Sequence, residues 1–349
     1  MSSSIEQTQK GGDESTNVQA GQVVIHQHAL TYSDVKEIAL DVFRNNFELL
    51  SKVAAQTARK RAEEITDEFL AELRKRNPDG LNKAESPQFQ LNLLTLQREY
   101  VRSGDKDLAK LLVDLLIDVT KENRRTVLQI VLEECLSVAP KLTGQQIAAL
   151  AVIFLFTYAM ASSVDSPEVF CGYCGFALPF IDSVSKTETT YRHLEYSGCG
   201  SISVLSADLE GVLLSSYPVL FSRPFTTEEL QQALPELVGS NVIVRSPFQD
   251  GAFQFRIADH AGLEQAIAGA GFDSAVWTKA KDFLNARKLG NEQVRAKAVE
   301  WVPQLNSLFE IWDNSSMRQF NLTSVGLGIA HAAVRSKTGF ATNLSIWMH

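Results

Sequence analysis

Cysteine is scarce in this chain: four residues in 349. That is too few for a disulfide framework, and reduced thiols in a cytoplasmic protein are the expectation. Cationic excess is also lacking. Thirty-three Lys and Arg against 41 Asp and Glu give a net charge of -8, which argues against a dedicated nucleic-acid binder. No internal repeat is visible. No P-loop, G-x-S-x-G or H-E-x-x-H motif occurs, and nothing in the spacing of Ser, His and Asp marks a triad. The opening residues MSSSIEQTQKGGDEST contain no apolar stretch, so no secretory signal is expected there. No cofactor is expected, and the chain leans away from being an enzyme.

What is present is ordinary globular material, 45% hydrophobic and 21% charged. The first 29 residues stand apart. Residues 11–28, GGDESTNVQAGQVVIHQH, are polar and glycine-flanked around one short apolar segment, Val23, Val24 and Ile25. That segment reads as a lone strand, which must add to a sheet edge or pair with a copy of itself. It is the candidate self-association element, and a homo-oligomer is expected. His26 and His28 share one face of it, but no third metal ligand is identifiable.

Behind the leader, Ser33 or Asp34 reads as an N-cap with Glu37 in the capping-box region. Apolar residues then recur at helical spacing from Val35 to Leu73. The pattern allows one rod of roughly 60 Å or a break near Asn45 and Asn46. Asn77-Pro78-Asp79-Gly80 is a turn. Helices are expected at Pro87–Arg102, Lys106–Thr120, Arg124–Val138 and Gly144–Ser162, joined by short polar connections as in a bundle. A further helix at Glu168–Ser185 must kink or end at Pro179. After Cys199 the pattern changes. Strands are expected at Ser201–Leu205 and Gln319–Leu322, and a hairpin at Asn241–Arg245 and Ala252–Ile257. Helices are expected at Asp259–Gly269, Ser274–Arg287, Glu292–Trp312 and Thr323–Ser336. The fold class is mainly α: an N-terminal helical bundle with a long first helix, then a smaller α+β domain. The expected division is a leader at 1–29, a helical domain at 30–200 and an α+β domain at 201–349.

Five features invite a functional reading. Cys171, Cys174, His193 and Cys199 are the candidate zinc or redox set, with buried structural thiols as the simpler reading. Leu142 to Val164 is free of charge for 23 residues and matches the thickness of a bilayer. Its polar residues leave an apolar centre of only Ile147–Phe156, as in a core helix. Arg59-Lys60-Arg61 and Arg74-Lys75-Arg76, with Lys121, Arg124 and Arg125 later, have the chemistry to grip phosphates. The acidic residues interleaved between the first two triplets suit a solvated face better. Gly326-Leu-Gly328 follows a strand and opens a helix, but the third small residue of a dinucleotide loop falls on His331. Trp347, near the last residue, docks on the domain or anchors a partner.

The stretch Gly12-Asp-x-Ser-x-Asn-x-Gln-Ala-Gly21, followed by Leu30-Thr-Tyr-Ser-Asp-Val-Lys-Glu-Ile-Ala-Leu-Asp-Val-Phe43, resembles the opening of a family of uncharacterised bacterial proteins. His193-Leu-Glu-Tyr-Ser-Gly-Cys-Gly-Ser201 and Tyr217-Pro-x-Leu-Phe-Ser222 are similar to the same family. Leaders of this kind occur in bacterial conflict and phage-defence systems. Val131–Met160 also resembles the helical abortive-infection proteins of the Abi-alpha type. The resemblance implies a bacterial, antiviral setting and carries no catalytic residue. The leading expectation is a non-enzymatic, self-associating sensor or effector. The alternatives are a membrane-acting effector using 142–164 and an enzyme whose site is assembled from residues distant in sequence.

Overall fold

A computed structural model describes residues 30–348, apart from 47–51, 123, 160–163, 248 and 259. Val23–Ile25, His26 and His28 lie outside the described residues. Among the described residues the chain is mainly helical, at 69%, as the apolar spacing requires.

Helix α1 spans Tyr32–Asn46 and α2 spans Lys52–Arg76. Of the two readings of the first apolar repeat, the structure takes the break. α1 folds back along α2: the Tyr32 hydroxyl donates to Asp67 at 3.1 Å and Lys36 pairs with the same carboxylate at 2.5 Å. At the other end Phe43 packs with Ala58 and Ala62. The cap of α1 is Thr31, two residues before Ser33 and three before Asp34. Asp34 accepts from the Thr31 backbone N–H at 2.8 Å while Thr31 Oγ1 accepts from the Asp34 N–H, a reciprocal box closed by aspartate.

A 3-10 turn at Pro78–Lys83 leads to α3 (Pro87–Ser103), α4 (Lys106–Lys121) and α5 (Val127–Val138). Their starts are local chemistry. Ser86, Asp105 and Thr126 each accept a first-turn N–H, and Gly104 ends α3 at a φ of 64°, which a side chain would strain. Helix α6 (Gly144–Ile153) opens on a capping box between Thr143 and Gln146, then widens into a π turn at Phe154–Tyr158. The Tyr173 hydroxyl lies 2.5 Å from the Leu155 carbonyl and 2.6 Å from that of Ala159. It tethers the widened turn, whose carbonyls no longer meet regular i+4 donors.

Helix α7 (Pro167–Cys174) and the single turn α8 (Leu178–Ile181) replace the expected helix to Ser185. The break falls before Pro179, which sits in the first turn of α8, where its missing N–H costs nothing. Then come α9 (Glu188–Tyr196), β1 (Gly200–Ile202), α10 (Leu209–Ser216) and α11 (Thr227–Ala233). Strands β2 (Ile243–Arg245) and β3 (Phe253–Phe255) form the expected hairpin. Helices α12 (His260–Gly269), α13 (Ser274–Asn285), α14 (Asn291–Trp301) and α15 (Leu305–Asp313) follow. The expected helix over Glu292–Trp312 is two helices, because Pro303 removes a donor and disfavours helical backbone at Val302. Strand β4 (Phe320–Leu322) pairs antiparallel with β1, and α16 (Ser324–Thr338) closes the fold, followed by a 3-10 turn at Leu344–Trp347.

Burial shows how these elements assemble. One large cluster of buried side chains runs from Val35 to Leu344. A second cluster, from Phe225 to Leu284, gathers α11, α12, α13 and the β2–β3 hairpin. Helix α16 is buried from Gly326 to Val334 and packs against α4, α5 and α6. The last helix therefore lies among the early ones. Its two glycines allow the approach. A Cβ on Gly326 would meet the Cys199 carbonyl oxygen at 1.9 Å, and one on Gly328 the Cys135 sulfur at 2.6 Å. The Gly326-Leu-Gly328 stretch is thus a packing surface, and protein fills the space a dinucleotide phosphate would take.

The centre of the apolar segment 142–164 is core: Ala148 to Phe156 are all at most 3% exposed, whereas 143–145 and Thr157 are exposed. Among the described residues no helix is long and apolar enough to cross a membrane. Trp347 docks on this segment. Its indole lies edge-on to Phe154, with centroids 4.9 Å apart, and its Nε1–H donates to the Tyr158 carbonyl at 2.9 Å.

Candidate functional site

The cysteine and histidine candidates do not form one centre. Cys171 is half-buried on α7, and its thiol donates to the Trp301 carbonyl at 3.3 Å. Cys174 is fully buried, and burial, with Cys171 beside it, pushes its thiol up. Cys199 is buried near Cys135 of α5, and burial raises it to about 12. His193 is exposed on α9, with its Nδ1 2.9 Å from the Gln146 side-chain amide. A nucleophile or metal ligand needs a thiolate that is cheap to form, and these buried thiols resist ionisation. Among the described residues no three His, Cys, Asp or Glu side chains are grouped to hold a metal ion.

The basic residues fare differently. Arg61 donates to the Val101 carbonyl at 2.8 Å, tying α2 to the end of α3. Arg76, the last residue of α2, pairs with Asp114 in the middle of α4. Arg335 of α16 pairs with Asp118 at 2.7 Å and approaches Asp114 at 3.6 Å. Asp118 also pairs with Lys121 at 2.9 Å. Burial works to raise the Asp118 carboxyl, yet Arg335 and Lys121 outweigh it and hold it below the usual carboxylate range. This ionic cluster locks α2, α4 and α16 together. A lone carboxylate inside the apolar run of α4, at Asp114, was the sequence signal for it. Nothing local announced Arg335 as its partner.

Next to the cluster, on α16, lies His331. It is 1% exposed and ringed by Phe154, Phe340 and Trp347. One ring nitrogen, Nε2, lies 2.7 Å from the Thr342 carbonyl and so carries the proton. Nδ1 is buried without a partner among the described residues. Burial holds the imidazole below its ordinary value of 6.5; Arg335 lowers it further, against Asp118, Asp114 and the bond to Thr342. The unfolded chain therefore binds a proton more readily than the fold does. Stability is complete above 6.5 and falls as the pH drops towards the lower folded value. Chemical denaturation between pH 7 and 5 is expected to show this loss. The His331→Gln variant, which keeps a donor for Thr342, should have a flatter profile; an equal slope would remove His331 as the cause.

Two clefts open beside this cluster, on either side of the connection from α4 to α5, and Glu122 lines both. The smaller, of about 580 Å³, lies between Arg76, Lys121, Arg335 and residues 341–345. The larger, of about 640 Å³, is framed by the 3-10 turn at Pro78–Lys83, the start of α3, the end of α4 and the start of α5. Both volumes fall in the range of small-molecule pockets. The larger cleft has an apolar floor of Phe89, Leu116 and Val119. Its Lys83 ammonium donates to the Thr120 and Glu122 carbonyls at 2.6 and 2.8 Å, capping the C-terminus of α4. Burial lowers this lysine's pKa. Arg124 and Arg125 line the cleft from the loop and form no ion pair among the described residues. Asn92 projects from α3, and its Nδ2 is buried with no hydrogen-bond partner among the described residues. The two carboxylates are each held by a neutral donor, Glu133 by the Gln88 amide and Glu122 by the Thr126 hydroxyl at 3.1 Å.

Of these groups the sequence had singled out Arg124 and Arg125, through their basic pairing. Lys83 and Asn92 were missed, because a lone lysine in a turn and a lone asparagine in a helix carry no local signal. Only the packing of α3 against α4 and α5 brings them to the same cleft.

No curated protein and no solved structure matches the chain. The model of one uncharacterised protein family matches residues 29–348, nearly the whole length, and the chain belongs to that family.

Proposed function

We propose that this is a non-enzymatic, self-associating protein that senses a ligand in the cleft between α3, α4 and α5, in the setting of bacterial antiviral defence. The observation that carries the ligand site is a cleft of ligand size lined by Asn92, whose buried amide N–H has no acceptor among the described residues. An unmet buried donor is costly, and a ligand acceptor would satisfy it. The self-association part rests on the sequence of Val23–Ile25, a lone apolar segment in a polar leader. The setting rests on the resemblance of the leader, residues 12–21, to leaders of conflict-system proteins.

Multi-angle light scattering tests the assembly. The full chain is expected at a multiple of 38.6 kDa, and deletion of residues 1–29 is expected to lower that mass. An unchanged mass after deletion, or a monomeric full chain, would sink the assembly reading.

A further inference from the structure

We infer that the cleft between α3, α4 and α5 takes a phosphate-bearing small molecule; this rests on the reading of that cleft as a ligand site. Three cations line it, Lys83, Arg124 and Arg125, against two carboxylates, Glu122 and Glu133. That is a local positive excess in a chain whose net charge is -8.

The kind of donor narrows the anion. Arg124 and Arg125 are adjacent guanidinium groups, exposed and without ion pairs among the described residues. Guanidinium presents a planar fork of donors that matches phosphate oxygens two at a time. The ends of the helices add to this. Ser86, the N-cap of α3, and Gln129, in the first turn of α5, both line the cleft. The positive ends of two helix dipoles therefore open on it and favour an anion, while the negative end of α4 is covered by the Lys83 ammonium on the Thr120 and Glu122 carbonyls. The unpartnered Asn92 Nδ2 supplies a buried neutral donor of the kind that fixes orientation. The floor of Phe89, Leu116 and Val119 then leaves apolar room for an organic body behind the phosphate. A bare inorganic ion would leave most of a 640 Å³ cleft unfilled.

The test is isothermal titration calorimetry on the full chain at low ionic strength. The probes are adenosine 5′-monophosphate, inorganic phosphate, pyrophosphate and adenosine. Saturable binding of the monophosphate is expected, with competition by phosphate or pyrophosphate, and adenosine alone should bind at least about tenfold more weakly. Raising the salt should weaken binding, since the cations are at the rim. The double variant Arg124→Gln, Arg125→Gln changes only exposed loop residues, and should weaken the monophosphate about tenfold or more with an unaltered circular dichroism spectrum. Asn92→Ala should weaken it as well. Adenosine binding as tightly as its monophosphate would overturn the phosphate assignment while leaving the cleft a ligand site. Absence of saturable binding by all three phosphates up to about 10 mM would also overturn it. Monophosphate binding unchanged in the double variant would do the same. Light scattering on the same sample reads self-association independently, so failure of one does not mask the other.

Discussion

Replacing Gly326 by alanine is expected to destabilise the protein by about 3 kcal/mol, the upper end of what overpacking a closed site costs. The added methyl would stand 1.9 Å from the Cys199 carbonyl oxygen and 2.9 Å from its carbon. These are backbone atoms, so no rotamer change relieves the clash. They cannot withdraw cheaply either. The same carbonyl accepts the Thr323 N–H at 3.1 Å, and Thr323 Oγ1 donates to the Gly198 carbonyl at 2.6 Å. Strand pairing of Gly200 with Leu322 fixes the neighbouring chain from the other side. Separation would have to come from α16 as a whole, and α16 is packed against α4, α5 and α6. The informative control is Gly172→Ala. That glycine is inside α7, and a Cβ there would meet nothing within 4 Å. It should gain up to about 1 kcal/mol from helix propensity. Urea denaturation of the two variants should therefore move the midpoint in opposite directions. A Gly326→Ala variant as stable as the parent would show that α16 does not lie against Cys199.

The second large effect is expected at Asp114. Asp114→Ala should cost about 3 kcal/mol, the lower end of the range for breaking a buried ion pair by removing one partner. Asp114 is 8% exposed and carries Arg76 on one carboxylate oxygen and Arg335 near the other. Removing it leaves the Arg76 guanidinium, itself largely enclosed, without its partner. Arg335 retains Asp118, which limits the loss. The double variant Arg76→Met, Asp114→Leu should recover most of the stability, because it removes both charges and restores apolar packing in their place. A double-mutant cycle by urea denaturation then gives the coupling directly. Should Asp114→Ala cost less than about 0.5 kcal/mol, the ionic cluster contributes no more than a surface pair.

These two sites show where local reading stops. Most of the longer helices were legible because their signal is local, apolar spacing at the helical period; the short helices α9, α10 and α11 were not. The β2–β3 hairpin was legible for the same reason, two alternating runs around a loop that ends in Gly251 at a φ of 76°. Where the reading overran, a single residue explains it. Pro303 splits α14 from α15, and Pro179 separates α8 from α7. The widening of α6 into a π turn was invisible, because it depends on Tyr173, a side chain from a later helix.

The chain by itself thus determined the helical class, the place of most of the longer helices though not of α9, α10 and α11, and the burial of the apolar centre that holds Ala148 to Phe156, since each follows from neighbours within one or two turns. It also marked Arg124 and Arg125 as cations to account for. Tertiary structure decided the rest. It folded α1 back on α2, inserted α16 among α4, α5 and α6, and set Cys199 beside Cys135. It brought Lys83, Asn92, Arg124 and Arg125 to one cleft. Those placements join residues dozens to hundreds of positions apart, and their energies come from shape and charge complementarity between whole helices, which no window of sequence contains.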